Sequence, residues 1–269
     1  MYTRILVPLD GSLFAEQLIA PAAKVAKAGG ATLALLRVVD RDDAQDKAAE
    51  YLQAQAAPVG AQAVCVRAGD GGVAAAIRDE AKRVPGTLVA ICSQGHSGAM
   101  HVLFGSVALK VLRELGEPAV VFRPHPDRPP ALSEVASVVL PLDGSPTSEA
   151  IVPQAAALAK WLRAKLIVVS VIEPSPQLDA SIASGDVQES SYVRSRAHEI
   201  TDRYGVDDVT WEVLHGDPKQ AIPEFVRSQG NAMLAMATHG RTGLRSVLTG
   251  SVTAQCLRDA GVPVFTRLA

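Results

Sequence analysis

Apolar residues in this chain fall into short continuous runs, separated by longer stretches in which they recur at helical spacing. A continuous run suits a strand buried on both faces, and the longer stretches suit amphipathic helices laid over it. The pattern predicts strands over 4–9, 32–39, 62–67, 88–92 and 119–123 in the first half, with helices over 13–28, 43–57, 73–84 and 106–115. In the second half it predicts strands over 137–142, 166–172, 209–214, 233–237 and 262–267, with helices over 146–163, 188–204, 218–229 and 251–260. Strand–helix alternation of this kind implies an α/β class. Right-handed crossovers then give two tandem doubly wound domains, each a five-stranded parallel sheet with flanking helices.

The two halves repeat one another. Pro8-Leu9-Asp10-Gly11-Ser12 returns unchanged as Pro141-Leu142-Asp143-Gly144-Ser145. Nine residues separate Gly95 from Gly105-Ser106-Val107, and nine separate Gly240 from Gly250-Ser251-Val252. A third anchor closes each half, where Pro118 answers Pro263 before an apolar strand. Three anchors in one order identify an internal duplication. The second copy is longer around 173–191, a stretch rich in Pro, Ser and Gly that reads as an inserted loop. Four prolines between Arg123 and Pro130 forbid a helix or central strand, so the join reads as a linker between domains 1–126 and 134–269.

Composition narrows the class without naming it. Of 269 residues 48% are apolar, enough for real cores, and a net charge of −2 gives no electrostatic case for nucleic acid or an anionic membrane. Cys65, Cys92 and Cys256 form an odd set without CxxC spacing, which points away from a disulfide framework or structural zinc. No signal-peptide layout and no bilayer-length apolar stretch are visible, so the expectation is a soluble, reduced, cytoplasmic protein.

Candidate chemistry gathers at strand ends. Asp10 and Asp143 end the first strand of each half, where a carboxylate accepts hydrogen bonds from a base amine or a ribose hydroxyl. The competing reading, favoured on this feature alone, is a cap for the next helix. In the second half Ala237-Thr238-His239-Gly240-Arg241-Thr242-Gly243 leads to Gly250-Ser251-Val252-Thr253. Glycine allows close approach of backbone to a ligand, the unpaired amides of a helix start attract phosphate, and Arg241 adds a charged donor. The alternative is an ordinary glycine-rich connection with a serine cap.

With these motifs the chain resembles the universal stress protein family over nearly its whole length. The resemblance implies an adenine nucleotide alpha hydrolase-like fold, and ATP, with or without Mg²⁺, as the bound molecule. It places Pro141, Asp143 and Val171 about the nucleoside, with Ala237, His239, Gly240, Arg241, Gly250, Ser251, Val252 and Thr253 around the phosphates. In the first half the corresponding residues are Asp10, Val38, Gly95, Gly105 and Ser106. Both halves depart from the family's first glycine, to Ala237 and to the bulkier Cys92, and His96 stands where the second half has Arg241. The second domain is therefore expected to bind ATP better. The resemblance also implies pairing of the last strands, within the chain as a pseudo-dimer or between two chains as a homodimer.

Other chemistries lack their motifs. There is no Walker A loop, no GxGxxG, no GxSxG elbow and no HExxH. His96 and His101 do not share a helix face, and His215 with Asp217 reads as turn chemistry. Cys92 reads as a packed small hydrophobe. Three functions stay open: a nucleotide-holding regulatory module, a slow ATPase, and a module that acts through protein contacts alone.

Overall fold

A computed structural model describes residues 1–40, 45–93, 104–123, 134–173, 182–238 and 251–268. The chain divides into two compact units, Met1–Glu134 and Val135–Ala269. Most of the proline-rich join lies outside the described residues.

The first unit runs β1 (Arg4–Pro8), α1 (Leu13–Glu16), α2 (Ile19–Gly29), β2 (Thr32–Val39), α3 (Gln45–Ala56), a 3-10 turn, β3 (Gln62–Arg67), α4 (Gly72–Arg83), β4 (Thr87–Cys92), α5 (Ser106–Leu115) and β5 (Ala119–Phe122). Its strands lie parallel in the order β3-β2-β1-β4-β5. Leu6, Ala34, Leu35, Leu36 and Leu88 are wholly buried, as continuous apolar strands covered on both faces must be.

The second unit repeats the plan with β6 (Ser137–Pro141), α6 (Pro146–Glu149), α7 (Val152–Leu162), β7 (Lys165–Ile172), α8 (Ile182–Tyr204), β8 (Val209–His215), α9 (Pro218–Ser228), β9 (Ala232–Thr238), α10 (Ser251–Asp259) and β10 (Val264–Leu268). Its strands are also parallel, in the order β8-β7-β6-β9-β10. In each unit successive strands first step to one side of the opening strand and then cross to the other. The crevice at that reversal, between the C-terminal ends of β1 and β4 or of β6 and β9, is where such sheets receive ligands.

Two expectations about helices need correction. The helix expected over 13–28 is broken into α1 and α2, and that over 146–163 into α6 and α7. Proline explains both breaks. Pro21 and Pro153 lack the N–H that would bond the carbonyl four residues back, at Gln17 and Glu149, and their rings crowd those carbonyls. In addition, α8 starts at Ile182, inside the stretch read as an inserted loop. Its lone Gly185 costs only about 1 kcal/mol relative to alanine, which a helix of this length absorbs.

Candidate functional site

Each cleft begins where the first strand leaves the sheet. The Leu9 amide still bonds Leu36 O at 2.8 Å and the Leu142 amide bonds Val169 O at 2.8 Å, so Asp10 and Asp143 are the first residues past the ladder. The chain then turns through Gly11 (φ +82°) and Gly144 (φ +74°), a conformation that favours glycine. Asp10 Oδ1 accepts from the Ser12 amide (2.9 Å) and the Ser12 hydroxyl (2.5 Å). Asp143 Oδ1 accepts from the Ser145 amide (3.0 Å) and hydroxyl (2.6 Å). The serines are the true N-caps, since Ser12 Oγ accepts from the Ala15 amide and Ser145 Oγ from the Ser148 amide. The carboxylates therefore do not cap directly. They fix the capping serine, and the same bonds hold each carboxylate at the rim of its cleft.

At Asp143 burial pushes the carboxyl pKa up, but the hydrogen bonds from Ser145 and Ser148 together outweigh it and hold the group below the usual carboxylate range.

In the first unit Asp10, Val38, Gly105 and Ser106 border one cleft of about 380 Å³. Val38, Ile77 and Ile91 give it an apolar lining, the kind of surface against which a flat ring packs. Gly105 precedes α5 with φ −63° and ψ 156°, and no side chain caps this helix. Its first amides have no partner within the helix, and they carry the positive end of the dipole. The Gly105 amide donates to Ser93 O at 2.7 Å, which draws the end of β4 to the start of α5. Ser93 also borders the cleft, is 1% exposed, and its hydroxyl has no hydrogen-bond partner among the described residues. A buried orphan hydroxyl costs free energy, which an oxygen-rich ligand at the helix start would recover. Cys92 lies on the same wall, 7% exposed, with Sγ 3.7 Å from Phe14 O.

The second cleft is similar in size, about 340 Å³, and is bordered by Pro141, Asp143, Val171, Ala237, Val252 and Thr253. Ser251 opens α10, as Ser106 opens α5. The expected ligand residues Gly95, His239, Gly240, Arg241 and Gly250 lie outside the described residues, as do His96 and His101.

Sequence reasoning missed two charged residues beside these clefts. Arg37 borders the first, donating from Nη1 to Leu9 O at 3.1 Å with its guanidinium 5.9 Å from the centre of the Tyr51 ring. An arginine interrupting the apolar run of β2 was the available signal. Its counterpart in β7 is Ser170, buried and bonded to Glu189 Oε2 at 2.9 Å. The second cleft has instead the exposed Glu173 at its border. The His215–Asp217 turn is structural: Asp217 caps α9 by accepting from the Lys219 amide at 2.9 Å. All three cysteines are free thiols, and burial, with Asp259 nearby, pushes Cys256 up to about 12. No helix among the described residues is long and apolar enough to cross a membrane.

Comparison with known proteins agrees with this architecture. A universal stress protein of Methanocaldococcus jannaschii is 28% identical over 138 residues, covering 48% of this chain and 79% of that protein. One from Synechocystis is 24% identical over 176 residues, covering 65% of this chain and about half, 52%, of that longer relative. The solved structure of a universal stress protein from Archaeoglobus fulgidus superposes with a TM-score of 0.67 at 18% identity, over 98% of both chains, and so shares the fold. The model of the universal stress protein family matches twice, over residues 1–123 and 135–266. The chain therefore belongs to the universal stress protein family, with one family domain in each half.

Proposed function

We propose that both clefts hold a purine nucleotide, ATP in the second domain, and that the protein is a nucleotide-responsive stress module. The observation that carries this reading is the convergence of Asp10, Val38, Gly105 and Ser106 on one cleft also bordered by Ser93, whose hydroxyl has no partner among the described residues. The base lies on the apolar wall, the ribose or base amine meets the aspartate, and the phosphates sit against the first amides of α5 or α10. Bound there, the nucleotide gives each domain an anionic ligand whose presence reports the nucleotide state of the cell. The second domain holds ATP more tightly, because Arg241 supplies a charged donor where the first domain has His96, mostly neutral near pH 7. Holding suits this site better than turnover: apart from His239 the motifs offer no general base beside the phosphates, and apart from Asp143 no carboxylate for Mg²⁺.

The test is a thermal melt of the purified chain with and without Mg-ATP, followed by single-turnover hydrolysis. A rise in melting temperature with phosphate release at background supports the module. Release well above background makes it a slow ATPase, and no thermal shift at all sinks the nucleotide reading.

A further inference from the structure

We propose that the two clefts select different purines, and that Arg37 makes the first a site for a 6-oxopurine nucleotide of the guanine type. The inference rests on the nucleotide reading above and concerns which base each domain takes. Arg37 is held in place at one end of the first cleft by Leu9 O and by the face of Tyr51. That single hydrogen bond engages one of its five N–H donors among the described residues, and the side chain is only half-buried, so the remaining fork is presented at the cleft. Asp10 borders the same cleft, one residue past the Leu9 carbonyl that Arg37 bonds.

The opposite end is the start of α5, reached from β4. Because β2 and β4 flank β1 on either side, the strand that carries Arg37 and the strand that leads to α5 run roughly 10 Å apart, two strand spacings. A purine mononucleotide spans that separation from base edge to phosphate. With its phosphate on the helix amides, the base edge falls between a carboxylate and a guanidinium. A guanine edge suits that pair: its N1–H and exocyclic amine donate to the carboxylate, and O6 and N7 accept from the arginine, the same acceptors arginine reads on guanine in duplex DNA. Adenine presents its exocyclic amine where guanine has O6, which sets donor against donor. At the matching position the second domain has Ser170, already turned to Glu189, so no guanidinium at that position opposes adenine.

Equilibrium dialysis of the full chain with labelled GDP and ADP tests this. The wild-type chain is expected to have one site that takes GDP about tenfold more tightly than ADP, the value of one charge-assisted hydrogen bond. Gly105→Val removes that site, which locates it in the first domain. Arg37→Ser, which copies the second domain's residue, brings the GDP-to-ADP ratio close to one. Arg37→Gln keeps an N–H for Leu9 O and so guards against loss of fold; it lowers the ratio severalfold with the circular dichroism spectrum unchanged. A ratio near one in the wild-type chain, or one unchanged in both Arg37 variants, overturns the proposal and leaves nucleotide binding standing. Absence of binding by either nucleotide overturns both.

Discussion

Tyr51 donates its hydroxyl proton to Glu16 Oε1 at 2.7 Å, tying α3 to the short α1 that follows the Asp10 turn. The second domain repeats the bond, with Tyr192 donating to Glu149 Oε1 at 3.0 Å. An arginine stacks near each tyrosine ring, but it comes from β2 in one domain (Arg37) and from α8 in the other (Arg196). Arg196 also pairs with Glu149 at 2.8 Å, whereas Arg37 bonds Leu9 O. Duplication has thus kept the tyrosine–glutamate tie and released the cation of the first domain toward its cleft.

That difference predicts unequal costs for one chemical change. Tyr51→Phe removes the described partner of Glu16 and should cost about 1 kcal/mol. Tyr192→Phe leaves Glu149 paired with Arg196 and should cost less. Urea unfolding of the two variants gives the comparison. In the wild-type chain burial, then the bonded carboxylate, pushes the Tyr192 hydroxyl up to about 12 and raises Tyr51 as well, so an alkaline absorbance titration should find both ionising late.

Acid should loosen the second domain's cap. The folded-state pKa of Asp143 is depressed, so its contribution is fully present above the unfolded value, about 3.9, and is lost as pH falls through the lower folded value. Melting temperatures recorded from pH 5 down to pH 2 should fall less steeply for Asp143→Asn than for the wild-type chain, since asparagine has no proton to take up. Equal slopes would remove Asp143 from the acid response.

The first domain has a buried ion pair with no counterpart among the described residues of the second. Arg4 Nη1 meets Glu80 Oε1 at 2.9 Å with both side chains 6% exposed, and Arg4 also donates to Glu80 O and Thr87 Oγ1. Ser137 stands at the equivalent strand start in the second domain. Arg4→Ala leaves the Glu80 carboxylate with the exposed Arg83 at 3.2 Å as its remaining ion-pair partner. The loss should be about 3 kcal/mol, measured by chemical denaturation, because an under-compensated charge stays buried.

Gly105 separates a ligand effect from a backbone effect. Its φ of −63° is open to any residue, so Gly105→Val should keep the melting temperature of the unliganded chain. Nucleotide affinity of the first domain should fall at least tenfold, because the valine side chain stands where phosphate must approach the amides. Gly250→Val makes the matching change in the second domain. Unchanged affinity in calorimetry would place the phosphate elsewhere.

The duplication, the strand positions and the Pro-Leu-Asp-Gly-Ser turns were legible in the chain, because continuous apolar runs and a glycine that must take positive φ are local requirements. Helix breaks at Pro21 and Pro153 were just as local, yet periodicity hid them, since the apolar spacing runs on across each break. The tertiary structure decided which polar groups meet. That Asp10 holds Ser12 and Ser12 holds the helix, that the Ser93 hydroxyl finds no partner among the described residues, and that Arg37 turns over the strand end to Leu9 O all depend on groups set side by side by sheet order. Sequence spacing fixes which face of a strand a residue occupies. Only the packing of neighbouring strands and helices fixes what stands across from it, and that contact gives two copies of one fold two unequal clefts.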